Sequence, residues 1–195
     1  LTVDTGAAGG NITIGEIAGT SVETVTLDAG TGTTSVGVIG TGTEIGVVSI
    51  GSAENGGITL NGAITTDGAV TIDGPVTLAT GAISVTTAND AITFNHTIDG
   101  AQALTLVSGT AATAIQGEIG GSTAISSLTI TNGTAVGTIE ITNIGGVTGA
   151  TSIGNTNTAT LTLDGTAYTT TGAQTYTAAA GQNIDITGAN ATFTT

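Results

Sequence analysis

Apolar residues recur along the chain in pairs separated by one small, mostly polar residue. The pattern reads Leu1-Thr2-Val3, Ile12-Thr13-Ile14, Val25-Thr26-Leu27, Ile58-Thr59-Leu60, Val70-Thr71-Ile72 and Val76-Thr77-Leu78. It continues as Ile83-Ser84-Val85, Ile92-Thr93-Phe94, Leu104-Thr105-Leu106, Leu128-Thr129-Ile130, Leu161-Thr162-Leu163 and Ile184-Asp185-Ile186. A period of two is the β-strand signature: the flanking residues point to one side and the central residue to the other. Between the runs stand Asn61-Gly62, Asp73-Gly74, Asp99-Gly100, Asn132-Gly133 and Asp164-Gly165. These are turn dipeptides, because Gly, Asn and Asp reach left-handed backbone conformations cheaply. No amphipathic helix of useful length is present. The pattern predicts an all-β protein with Ile, Val and Leu inside and a Thr column outside.

A longer repeat lies above the short one. At an offset of 103, Leu1 falls on Leu104, Ile12 on Ile115, Val25 on Leu128, Val36 on Ile139, Ile50 on Ile153 and Leu60 on Leu163. Gly6, Gly30, Gly51 and Gly62 fall on Gly109, Gly133, Gly154 and Gly165. After one inserted residue, the stretch from Thr65 to Ile72 matches that from Thr169 to Tyr176. A second match lays 12–50 over 92–130, an offset of 80. Similarity at more than one offset suits a stack of near-equivalent turns better than tandem globular domains.

The sequence therefore predicts a parallel β-solenoid with a first repeat unit at 1–103 and a second, continuous with it, at 104–195. Strand starts lie about every 11 residues. A three-sided helix with about 34 residues per turn is favoured, because the 103-residue unit then holds three whole turns. Two strands per turn would need about 23 residues and leave the unit fractional. The alternative is a pair of immunoglobulin-like sandwiches of about 100 residues each. Few aromatics, the single Pro75 and the second offset argue against it.

Composition narrows the class further. With 38% hydrophobic residues and many β-branched ones, the chain is too apolar for disorder despite 33 Gly. Two Tyr, two Phe, no Trp and no Met leave a core of small aliphatic side chains, which suits an interior repeating one shape. The formal charge is −14, and Lys and Arg are absent. That excludes direct nucleic-acid binding and attraction to anionic membranes, both of which need basic side chains. Without Cys there are no disulfides, so stability must come from packing and backbone pairing. No apolar run approaches the roughly 18 residues of a membrane span. The chain opens on Leu1-Thr2-Val3 without a Met or a basic signal region, as expected of a mature fragment or a piece of a longer polypeptide. Leu1-Thr2-Val3 and the closing stretch Ala191-Thr192-Phe193-Thr194-Thr195 are both in strand pattern. The expectation is that turns continue in a longer chain or that another copy stacks end to end.

The wording from Thr169 to Thr177, and from Ala91-Ile92-Thr93-Phe94 through Ile98-Asp99-Gly100-Ala101-Gln102-Ala103 to Leu104-Thr105-Leu106, resembles the β-helical parts of filamentous-haemagglutinin-like adhesins and giant β-strand-repeat proteins of bacterial surfaces. The resemblance covers most of the chain. It implies export, a fibrous form, and structural or adhesive work at the cell surface.

Candidate chemistry is sparse, and no catalytic or cofactor-binding residue is assigned. His96 is the one histidine and reads as a turn residue, since one His does not make a zinc site. Nucleophilic catalysis has no visible constellation, so no enzyme is expected. Asp67 and Asp73 form the nearest acidic pair outside the first strands, but each precedes Gly and reads as turn chemistry rather than a glycosidase pair. Calcium is the one cofactor considered: 14 acids without a basic counterpart favour a hard divalent cation held loosely at the surface or between subunits. No calcium-binding nonapeptide or EF-hand loop is present, and the metal residues stay unknown. The Gly-rich stretch from Gly37 to Gly51 reads as solenoid turns, not a phosphate cradle. Asn11-Ile12-Thr13, Asn95-His96-Thr97, Asn132-Gly133-Thr134 and Asn190-Ala191-Thr192 fit the N-glycosylation pattern.

The expected function is a structural module of a secreted bacterial surface fibre, filament or matrix, associating with itself or continuing in a longer chain. The alternatives are an adhesin shaft that binds glycans or host surfaces, and an ice-binding solenoid. The last is weakened where Asp185, Gly37 and Ser84 interrupt the outward Thr positions.

Overall fold

The computed structural model describes residues 1–52, 56–134 and 136–195. The described residues form 23 short strands and no helix. Every strand–strand ladder is parallel. The chain is a β-solenoid, and the antiparallel sandwiches held open as an alternative are excluded.

Each turn lays one strand on each of three faces. The first face stacks Thr2–Asp4, Val25–Asp28, Val48–Gly51, Val70–Asp73, Ile92–Phe94, Thr113–Ile115, Gly137–Ile141, Thr158–Leu163 and Asn183–Ile186. The second begins with the leading halves of Ile12–Gly19 and Thr34–Gly42 and continues through Ile58–Leu60, Val76–Leu78 and Ile98–Asp99. It then narrows to Ile119, which bridges Ile98 and Ile144, and resumes with Ile144–Val147, Ala167–Thr170 and Thr192–Thr194. The third takes the trailing halves of those two long strands, then Ile64–Thr66, Ile83–Thr87, Ala103–Val107, Ser127–Thr131, Thr151–Ile153 and Gln174–Tyr176.

The register corrects the expected turn length of about 34 residues. Val25 pairs with Val48, Val48 with Val70, Val70 with Ile92, and Ile92 with Thr113. Successive steps of the first face lie between the 21 residues from Ile92 to Thr113 and the 26 from Thr113 to Ile139. Nine stacked strands give about eight turns, or roughly 38 Å at about 4.8 Å per turn. The expected six turns, three to each 103-residue unit, are therefore too few.

Strand counting erred because some corners need only one glycine. Gly37 lies inside Thr34–Gly42, whose leading part pairs with Ile58–Leu60 and whose Ile39 pairs with Ile64. A side chain at Gly37 would overlap the Gly15 carbonyl of the turn below, so the chain bends there without room for a larger residue. Such a bend hides two strands in one apolar run.

The two repeat offsets are not whole turns. Leu1 and Val25 belong to the first face, whereas Leu104 and Leu128 belong to the third. Ile12 is on the second face and Ile115 on the first. The 103/104 boundary falls inside Ala103–Val107, which pairs with Ile83–Thr87 on one side and Ser127–Thr131 on the other.

The core consists of residue columns running along the stack. One is Val25, Val48, Val70, Ile92, Thr113, Ile139 and Leu161. Its neighbour is Leu27, Ile50, Ile72, Phe94, Ile115, Ile141 and Leu163. Ile12, Val25, Leu60, Ile115, Leu128 and Leu163, all expected inside, are buried. Each such side chain contributes about 1.5–3 kcal/mol by leaving water. Among the described residues seven buried positions carry Thr instead, and three of them, Thr34, Thr113 and Thr151, have no hydrogen-bond partner for their hydroxyls.

Candidate functional site

The outward positions form columns too. On the first face the column is Thr2, Thr26, Ser49, Thr71 and Thr93, followed by Ala114, Glu140, Thr162 and Asp185. On the third face Ser84, Thr105, Thr129, Ser152 and Thr175 stand in register over five turns. Parallel pairing without slip puts like side chains one strand spacing apart, about 4.8 Å.

Side-chain clamps between turns hold this register at the corners. Asp99 Oδ1 accepts hydrogen bonds from Ser122 N at 2.8 Å and Thr123 N at 2.9 Å. Asn143 Oδ1 accepts from Thr166 N at 2.8 Å and Ala167 N at 3.1 Å. In each case one side-chain oxygen satisfies two corner amides of the next turn. Inside another corner, Asn132 Nδ2 donates to Ser108 Oγ at 3.2 Å, and Thr158 Oγ1 donates to Asn132 Oδ1 at 2.9 Å. This polar ladder crosses three turns and compensates the burial of Asn132.

The candidate residues are placed as follows. His96 lies in the bend between Ile92–Phe94 and Ile98–Asp99, with Nε2 3.2 Å from Asp73 Oδ1. The pair is part-exposed and follows from the register that sets Phe94 on Ile72. An exposed pair of this kind contributes about 0–1 kcal/mol. Asp67 and Asp73 do not converge: the strand Val70–Asp73 separates them, and they occupy corners on opposite sides of the first face. Of the four glycosylation patterns, Asn132 is buried, whereas Asn11 and Asn190 are exposed. The stretch Gly37 to Gly51 belongs largely to the strands Thr34–Gly42 and Val48–Gly51. Among the described residues no three of His, Cys, Asp and Glu come together in a metal-holding group.

Three features were not read from the sequence. The first is a carboxylate nest. Glu23 accepts hydrogen bonds from Thr20 Oγ1 at 2.6 Å and from Ser21 N at 3.0 Å. The Thr20 side chain and then the Ser21 amide hold its pKa down to about 2. The second is an aromatic cluster: Tyr168, Tyr176 and Phe193 meet within 6.3 Å between ring centroids. Burial pushes both tyrosine hydroxyls upward in pKa. The third is a small cleft of about 120 Å³, lined by Ala124, Gly146, Val147, Thr148 and the segment 169–171. It is well below the roughly 300 Å³ of a small-molecule pocket.

Comparison of the chain with protein-family models, with curated proteins and with solved structures gave no match.

Proposed function

We propose that this chain is a structural module of a secreted bacterial surface fibre, filament or extracellular matrix. The observation that carries the reading is the uninterrupted parallel ladder of nine strands over a mainly aliphatic core. Such a stack gains stability by adding equivalent turns and lengthens in one dimension, which is the mechanical requirement of a rod. The resemblance to bacterial surface β-repeat proteins supports export. The strongly acidic composition without Lys or Arg supports a solvated rod rather than one docked on nucleic acid or anionic lipid.

Electron microscopy of the purified parent polypeptide tests the reading. The expected image is a rod of constant width whose length grows by about 4.8 Å per turn of some 23 residues. Compact particles, or a chain attached to a globular catalytic domain with the solenoid as a mere spacer, would reject it.

A further inference from the structure

Three Asn-Gly steps occur in the chain: Asn55-Gly56, Asn61-Gly62 and Asn132-Gly133. Asn55 lies outside the described residues. Asn is chemically labile, and most so before Gly, which leaves its own backbone nitrogen unshielded. That nitrogen attacks the Asn side-chain carbonyl carbon. A new C–N bond closes a five-membered succinimide, and the side-chain nitrogen leaves as ammonia. Water then opens the ring at either carbonyl, giving aspartate or isoaspartate. The first step requires the side-chain amide to swing toward the main chain and the Gly amide to give up its proton to solvent.

Asn61 stands at the corner between the second-face strand Ile58–Leu60 and the third-face strand Ile64–Thr66. Its side chain ties three turns together. Nδ2 donates to Ser35 Oγ at 3.0 Å and to the Val36 carbonyl at 3.3 Å in the turn below. Oδ1 accepts from Thr80 Oγ1 at 3.2 Å in the turn above. With both ends of the amide held by neighbouring turns, it is not free to swing toward Gly62 N. The Gly62 amide has no acceptor among the described residues, and Asn61 and Gly62 are only half-buried. The nucleophile and solvent access are therefore in place, and the clamp stands between them and the reaction. Asn132 is held by a similar ladder through Ser108 and Thr158 but is fully buried, so it lacks the solvent access that Asn61 has.

We infer that Asn61-Gly62 is a latent self-modification site, gated by the Ser35–Asn61–Thr80 clamp and converted to aspartate or isoaspartate when that corner opens. The site is a property of the corner and does not depend on the chain being a fibre module. Conversion is one-way, because ammonia is released. A carboxylate at position 61 loses both donated hydrogen bonds and faces the Val36 carbonyl with like polarity. Isoaspartate also adds an atom to the main chain. There is no room for it, since even a Cβ on Gly62 would come within 2.9 Å of Val38 N in the turn below. The converted corner does not reclose, so the product is a permanent record that these turns have parted.

Ageing of residues 1–195 carrying Asn55→Gln, at neutral pH and body temperature, tests the inference. Peptic digestion and mass spectrometry read conversion at Asn61 and Asn132 separately, and electron-transfer fragmentation distinguishes isoaspartate from aspartate. In the folded chain Asn61 is expected to convert about tenfold or more slowly than in guanidinium chloride, because the clamp must open first. Ser35→Ala with Thr80→Val should bring Asn61 back toward the denatured rate while Asn132 stays intact. Thr80→Val alone should act in the same direction to a smaller extent. If Asn132 also converts in the double variant, the fold itself has opened, and the single variant decides. Conversion of Asn61 at the denatured rate in the folded chain overturns the inference. So does an Asn61 rate that neither clamp variant changes, which would assign the protection to backbone packing alone.

Discussion

Phe193 lies over Tyr168 with their rings 4.9 Å apart and 12° from parallel. The two are paired in register on the second face. They are successive members of a column that includes Ile58, Val76, Ile98, Ile119 and Ile144. Tyr176 packs edge-on against both rings from the third face. Three of the chain's four Tyr and Phe residues thus replace aliphatic side chains in consecutive turns. The Tyr168 hydroxyl accepts a hydrogen bond from Gly165 N at 2.8 Å, which allows the ring to be fully buried.

This cluster should be a strong local contributor. Tyr168→Ala is expected to cost about 3–5 kcal/mol, as for other large buried aromatics. A double-mutant cycle of Tyr168→Leu and Phe193→Leu should give a coupling of about 0.5–1.5 kcal/mol, measured by urea denaturation. Additive effects would mean that the two rings do not interact.

The three buried threonines without a hydroxyl partner invite stabilisation. Thr34→Val, Thr113→Val and Thr151→Val each remove a buried hydroxyl without a partner and keep the side-chain shape. Each should stabilise by about 1 kcal/mol, read as a higher denaturation midpoint at unchanged slope. The positions lie in separate turns and on different faces, so the gains should add. A loss at any one would reveal a partner for that hydroxyl.

Leu128→Asp should be among the most damaging single changes. Leu128 is fully buried in the column Leu104, Leu128, Thr151, and no basic residue exists to pair with the new carboxylate. The expected cost is several kcal/mol, with the variant neutralised or unfolded at pH 7. A variant with wild-type melting behaviour would put Leu128 in solvent.

Glu23 should titrate far below the ordinary glutamate range. Its pKa falls from 4.5 to about 2 in the folded chain. A depressed carboxyl pKa contributes stability that is fully present above the unfolded value. The contribution is lost as pH falls from about 4.5 through about 2. Carboxyl carbon NMR should show the Glu23 midpoint near the lower value, with the Ser21 amide shift following it. Glu23→Gln should remove that amide's acid transition. A midpoint near 4.5 would mean that the nest does not form.

The fold was legible because the solenoid writes its geometry in period two. Leu27, Leu60 and Leu128 declare themselves by neighbours that alternate in and out. Turn length was not legible, because the corner at Gly37 and the single bridging residue Ile119 leave no strand-like triplet to count. Which acids share a corner was hidden for the same reason. Without the 21–26-residue step, Glu118 and Asp164 are scattered acids; with it, both fall at the corner between the first and second faces. Thr34, Thr113 and Thr151 could not be told from outward threonines, since Thr is small enough for either side of a strand. The Glu23 nest depends on the local bend at Thr20 and Ser21, which no periodicity encodes.

The 103-residue offset acquires a different meaning once the faces are known. It carries Thr2, Thr26 and Ser49 onto Thr105, Thr129 and Ser152, moving a hydroxyl column from the first face to the third. It likewise carries Ile12 and Leu60 of the second face onto Ile115 and Leu163 of the first. The two units are thus related by a screw operation that advances along the axis and rotates by two sides of the prism. Further copies obeying the same operation would wind the hydroxyl column around the rod as a spiral and return it to the same azimuth only every third unit. A rod of that kind would show hydroxyls on each of its sides in turn and along none of them for its whole length.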